Sequence, residues 1–183
     1  MGDYFAGRIE IGGPLRSNVL NSLIEAILNS DRLSLIGYGD EPATDETLRK
    51  AFQAGPTVTL YDDQAPYGEF EELEAFLVRR RIHFDRLSDA RYEYNAELVR
   101  YRGRGQPVVF PSNTDGQMLV KVEEVLRILR NRRFTADRKL QAVWMLVDPP
   151  EAAPLTPIQL VTEAKKKGGG RKCPRKEHPT SPG

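Results

Sequence analysis

The chain has 183 residues, 39% of them hydrophobic and 29% charged, with a formal net charge of +1, which suits one soluble domain with an ordinary core and a tail. No apolar run approaches the roughly 20 residues that span a bilayer, and the opening MGDYFAGRIEIGG has neither the basic nor the apolar region of a secretory leader, so a cytoplasmic location is expected. Cys173 is the single cysteine, which excludes an intrachain disulfide and any site built from paired cysteines.

Charge divides unevenly along the chain. Residues 1–160 hold 20 Lys and Arg against 24 Asp and Glu, net −4, and residues 161–183 hold 7 against 2, net +5. An acidic body with a basic tail is expected. Such a tail can bind nucleic-acid phosphates, fold back on the body, or simply aid solubility.

Phe5, Gly7, Ile9 and Ile11 alternate with Ala6, Arg8 and Glu10, which predicts a strand with one wet face. Gly12-Gly13-Pro14 ends it. Val19, Leu20, Leu23, Ile24, Ile27 and Leu28 then recur at helical spacing, with Ser17 or Asn18 as the N-cap. The stretch GRIEIGG has no third glycine at dinucleotide spacing and no Gly-Lys-Ser/Thr, so it reads as a turn rather than a phosphate loop. Leu33 to Asp40 is a short apolar segment, either a strand or a packed loop. Thr44 or Asp45 opens a helix through Leu48, Ala51 and Phe52, closed by Gly55-Pro56.

Val58 to Tyr61 predicts a strand. Pro66 and Gly68 mark a turn, and Phe70, Leu73, Phe76 and Leu77 give one buried helical face. Glu69, Glu71, Glu72 and Glu74 near its start and Arg79, Arg80 and Arg81 at its end match the helix dipole. The period then becomes two. Ile82 and Phe84 alternate with His83 and Asp85; after a turn at Leu87 to Ala90, Tyr92, Tyr94, Ala96 and Leu98 alternate with Arg91, Glu93, Asn95 and Glu97. These predict an antiparallel strand pair, and with the preceding strand and helix a βαβ unit. The runs APYGEFEELEAF and IHFDRLSDARYEYNAELVRYR resemble a family of small bacterial proteins of uncharacterised function, carried in part on plasmids and other mobile elements. The resemblance covers about the first three quarters of the chain and implies no catalytic or binding residue.

Pro107 to Phe110 reads as an edge strand, because Pro107 cannot donate to a central ladder. Leu119, Val122, Val125, Leu126 and Leu129 form one helical stripe; Leu140, Val143, Trp144 and Val147 form another, with Thr135 as its N-cap. Both helices are expected to cover a sheet face. From Pro149 onward prolines, Lys165-Lys166-Lys167 and three glycines replace the apolar period, which predicts a flexible tail. The fold class is therefore α/β, or α+β: one globular domain over 1–148 with a mixed sheet of about four or five strands flanked by helices, then a disordered basic tail over 149–183.

Three groups of residues could carry function. Asp62 and Asp63 at a strand end, with Glu69 and Asp85 as further oxygen donors, have the chemistry of a magnesium site, as a metal-dependent hydrolase or phosphotransfer enzyme would need. Carboxylates just before a helix are also what its dipole selects, and adjacent aspartates in a strand point apart. His83 and Asp85 share a strand face with Ser88 nearby, but no nucleophile elbow accompanies them. Tyr92, Tyr94 and Tyr101 with Arg91, Arg100, Arg102 and Arg104 have the composition of a base-stacking surface, although Tyr92 and Tyr94 share a face with Ala96 and Leu98 that helices are expected to cover, which makes them core residues, and Glu93 and Glu97 on the other face repel phosphate. Arg102, Arg104, Lys165, Lys166 and Lys167 support a nucleic-acid alternative. No catalytic constellation, metal ligand set or cofactor motif is complete. The reading is a non-catalytic binding or regulatory protein of bacterial type, an adaptor whose partner is another protein.

Overall fold

A computed structural model describes residues 4–30, 32–37, 43–89 and 96–162. In chain order the elements are β1 (Tyr4–Gly12), β2 (Pro14–Arg16), α1 (Leu20–Leu28), β3 (Ser34–Leu35), α2 (Asp45–Gln53), β4 (Val58–Pro66), α3 (Glu71–Arg80), β5 (His83–Ser88), β6 (Glu97–Tyr101), β7 (Val108–Pro111), α4 (Val122–Arg130), α5 (Ala136–Val147), a 3-10 turn at Pro150–Ala152, and β8 (Gln159–Val161). This is the α/β domain that the alternating and helical periods imply. The main sheet has six strands in the order β3-β4-β1-β5-β6-β7, more than expected, and each neighbouring pair is antiparallel. Parallel pairing occurs in the separate ribbon of β2 with β8.

The helix α3 does connect two strands of like direction. β4 and β5 both run antiparallel to β1, which lies between them, so the expected βαβ unit is split by a third strand. Cross-strand partners share a face, and one face carries Ile9, Ile11, Val58, Leu60, Phe84, Val99 and Tyr101. Leu23, Ile24 and Ile27 of α1, Leu48 and Phe52 of α2, and Leu73 and Leu77 of α3 close over it. Each such side chain contributes about 1.5–3 kcal/mol when fully buried.

Local signals set the helix ends. Thr44 caps α2: its side chain accepts from Thr47 N–H at 3.2 Å, while Thr47 Oγ1 accepts from Thr44 N–H at 2.9 Å. Thr135 caps α5 by accepting from Arg138 N–H. At α1 neither Ser17 nor Asn18 caps; Val19 holds that position without a side-chain bond, and Ser17 N–H instead donates to the Val161 carbonyl at 3.1 Å.

The second sheet face departs further from expectation. β5 continues through Leu87 and Ser88 rather than turning there, and Leu87 lies opposite Leu98. Gly116 of the loop leaving β7 stands near Leu87, where an added Cβ would lie 3.4 Å from Leu87 Cδ2. Residues 149–162, which composition assigns to a tail, form a strap across this face. Ala152 and Ile158 are buried, Gly13 N–H donates to the Thr156 carbonyl at 2.8 Å, and β8 pairs with β2. Gly12 and Gly13 thus serve the strap: a Cβ on Gly12 would meet Thr156 and Leu155, and Gly13 has φ +74°. The tail from 163 onward lies outside the described residues.

The helices α4 and α5 do not cover the sheet. Neither contains a buried residue, and they pack chiefly on each other as a hairpin.

Candidate functional site

Adjacent residues of a strand point to opposite faces, and on β5 this separates two ion-pair clusters. Asp85 faces the strap. Its Oδ1 lies 2.5 Å from Arg102 Nη1 and its Oδ2 lies 3.3 Å from Arg100 Nε. The two arginines reach on to the 3-10 turn at Pro150–Ala152: Arg102 donates to the Ala153 carbonyl from Nε and Nη2, and Arg100 Nη1 donates to the Ala152 carbonyl. One carboxylate between two guanidiniums holds the strap down. This cluster is closed and structural.

Arg86 points the other way, into the helix-covered side, where it is only 4% exposed. Its Nη1 donates to the Gly68 carbonyl at 3.2 Å, its Nε lies 3.0 Å from Glu74 Oε1, and Glu69 stands 3.7 Å from Nη2. Glu74 also accepts from Phe70 N–H at 3.1 Å, closing the first turn of α3. Burial pushes the Glu74 carboxyl above the usual carboxylate range, although the Arg86 charge and the Phe70 N–H draw it down. Its core-facing register follows from the pairing of β1 with β5, which sets Arg86 opposite Ile9.

The acidic corner does not converge. β4 runs past Asp62 and Asp63 to Pro66. Asp62 is buried on the helix side, and its Oδ1 accepts from Gln64 N–H at 2.8 Å where the β1–β4 register shifts; it stabilises a bulge. Asp63 is exposed, and Asp85 lies across the sheet. Asp62 and Glu69, with Glu71, Glu72 and Tyr67, line an open cleft of about 460 Å3 beside the end of α1. Among the described residues no group of three or more His, Cys, Asp or Glu is placed to hold a metal ion.

His83 and Asp85 share the strap face, but Ser88 is on the opposite one by parity, so the three do not form a triad. The His83 ring sits between Gly13 and Gly103; burial and then the Arg102 charge lower its pKa below the usual 6.5. Tyr101 is a core residue, its ring centroid 5.7 Å from that of Phe84 and its hydroxyl donating to the Val78 carbonyl at 3.3 Å. Arg102 is committed to Asp85 and the strap, leaving Arg104 as the exposed arginine of that turn. Tyr92, Tyr94, Arg91, Lys165, Lys166 and Lys167 lie outside the described residues.

Among the described residues, seven of the fifteen exposed large hydrophobics lie on α4 and α5. Val125 and Ile128 of α4 and Ala142, Val143 and Leu146 of α5 are half-buried, as seam residues are. A second stripe on each helix faces away: Val122, Leu126 and Leu129, and Leu140, Trp144 and Val147, with Trp144 64% and Leu140 70% exposed. Both stripes have the four-then-three spacing of a helix–helix seam. Lys121 and Glu124 at the start of α4 line one cavity with Met145 and Leu146 at the end of α5, so the helices run antiparallel. Each outer stripe is displaced about 100° in the same sense from its inner seam, which brings both onto one side of the hairpin. The periodicity was legible in the sequence; that the sheet would already be covered by three other helices and a strap was not.

No family model matches the chain, and neither the curated proteins nor the solved structures contain a match to it. No helix among the described residues is long and apolar enough to cross a membrane.

Proposed function

We propose that the protein is a non-catalytic binding protein, a cytoplasmic adaptor of the bacterial type its central stretch resembles, and that it binds a protein partner through the outer face of the α4–α5 hairpin. The supporting observation is the second apolar stripe on each helix. Leu126 and Leu129 with Leu140 and Trp144 repeat at seam spacing and contribute nothing to the fold's own core. Side chains of this size and number on one side of a hairpin mark an interaction surface, and the polar clusters at Asp85 and Arg86 hold the scaffold that carries it.

The test is affinity purification of the full-length chain from a bacterial lysate treated with nuclease, alongside Leu126→Glu/Trp144→Glu. A stoichiometric protein captured by the wild type and lost with the variant is the expected result. Identical captures by both forms would remove the hairpin from the reading, and captures lost with nuclease would transfer it to nucleic acid and the basic tail.

A further inference from the structure

We infer that the occupant of the hairpin's outer face is a second copy of this chain, joined about a two-fold axis so that two hairpins complete a four-helix bundle, with α4 antiparallel to the partner copy's α4. This rests on the reading of that face as the protein's interaction surface, and it names the partner.

Area is the first argument. Val122, Leu126, Leu129, Leu140, Trp144 and Val147 are each between 36% and 70% exposed, which amounts to on the order of 600 Å2 per copy, as large as the largest apolar patch of a typical monomer; two copies face to face bury about 1,200 Å2, the size of a small specific interface. Geometry is the second. A two-helix hairpin with one used and one unused seam per helix is half of a four-helix bundle, and the commonest way to supply the other half is a C2 axis that presents the same surface twice.

Charge selects the arrangement. Glu123 and Arg130 lie seven residues apart on the rim of α4 away from α5, flanking the stripe centred on Leu126. When α4 lies antiparallel to its copy, Glu123 meets Arg130 of the partner subunit and Arg130 meets the partner subunit's Glu123, so both pairs attract. The other two-fold packing sets α4 against the second copy's α5. It brings the Glu123 end toward Asp148 at the end of α5, and the basic Arg130–Arg133 end toward Arg138 and Lys139 at its start. The rim of α5 carries Asp137 and Gln141 and adds no attractive pair of its own.

Sedimentation equilibrium on the full-length chain tests this, with tryptophan emission as a second readout. Trp144 is the only tryptophan and sits near the middle of the α5 stripe, so its emission shifts to the blue on association and returns on dilution. The expected result is a wild-type dimer in the micromolar range, and Leu126→Glu/Trp144→Glu with the melting midpoint of the wild type diluted below its Kd and a Kd raised by about 100-fold or more. Leu126→Glu alone keeps the fluorophore and leaves its emission red at every concentration.

Glu123→Lys and Arg130→Glu each weaken self-association by about tenfold, and an equimolar mixture of the two recovers it, because every rim pair in the mixed dimer is then oppositely charged. A wild type that stays monomeric, or a Leu126→Glu/Trp144→Glu chain that stays dimeric, overturns the inference. Failure of the mixture to recover overturns the antiparallel α4 arrangement. A monomeric wild type that still captures a foreign protein through Leu126 and Trp144 overturns the dimer while leaving the adaptor reading intact.

Discussion

Arg102 donates from Nε and from Nη2 to a single oxygen, the carbonyl of Ala153, at 2.9 and 2.7 Å. Planar guanidinium geometry allows this while a third nitrogen faces Asp85, so one side chain ties β5, β6 and the strap together. Arg102→Ala removes the tie and leaves Asp85 with Arg100 alone. The expected loss is about 2–4 kcal/mol of stability, measured by urea unfolding. Hydrogen exchange rises over residues 150–161 before it rises elsewhere; uniform exchange across the chain would contradict the anchoring role.

Gly12 and Gly55 separate steric approach from backbone strain. A methyl on Gly12 would collide with the Thr156 carbonyl oxygen and lie 2.9 Å from Leu155 Cγ, so Gly12→Ala costs about 1–3 kcal/mol and frees the strap to limited proteolysis. Gly55 has φ +86° with nothing within 4 Å of the added carbon. Gly55→Ala costs about 1–2 kcal/mol of left-handed strain and leaves the strap protected.

His83 makes stability depend on pH in the mildly acidic range. The folded protein resists protonating it, through burial first and the Arg102 charge second, whereas an unfolded histidine titrates near 6.5. The unfolded chain therefore binds the proton more readily. The contribution of His83 is complete above pH 6.5 and is lost as pH falls from there through the lowered folded value. His83→Gln flattens this part of the profile of melting midpoint against pH, and an unchanged slope in the variant would assign it to another group.

Arg86 and Glu74 form a pair that is costly to break from one side. Arg86→Met strands the Glu74 carboxyl without its cation and destabilises by about 3–5 kcal/mol near neutrality. Burial already raises the folded pKa of Glu74 above 4.5, and loss of Arg86 raises it further. The deficit is therefore small in acid, where Glu74 is protonated in both states, and grows as pH rises through that folded value. Glu74→Gln combined with Arg86→Met regains part of the loss at neutral pH.

What could be read from the chain depended on how far apart the cooperating residues lie. α2 and α3 were legible because the cap and apolar face of the one, from Thr44 to Phe52, and the charges and apolar face of the other, from Phe70 to Arg81, are each contained within ten or so residues. β7 was legible as an edge from Pro107 alone. The reach of β4 past Asp62 was hidden because a bulge, not a break, accommodates the two aspartates. The role of Arg86 was not legible because its partners, Gly68 and Glu74, lie outside β5. The strap was not legible because its prolines carry no periodicity, and the groups that bind it, Gly13, β2, Arg100 and Arg102, lie far back in the chain. For the hairpin, the stripes were plain in the sequence but their destination was not, since it depends on which surfaces the rest of the chain leaves open.

The pairing of β8 with β2, in which Leu160 lies opposite Leu15 and Val161 opposite Arg16, has a consequence in time. Residues 150–161 leave the ribosome after everything they bind has been made. Until then Arg100 and Arg102 lack their carbonyl acceptors, Gly12 faces water, and the far side of the sheet stands open. The helix-covered half can assemble during synthesis for the most part, but among the described residues the far face is latched by a late-made segment, through contacts as distant as Ser17 with Val161. A product shortened before the strap would carry a front that lacks only Ile158 and an unlatched back.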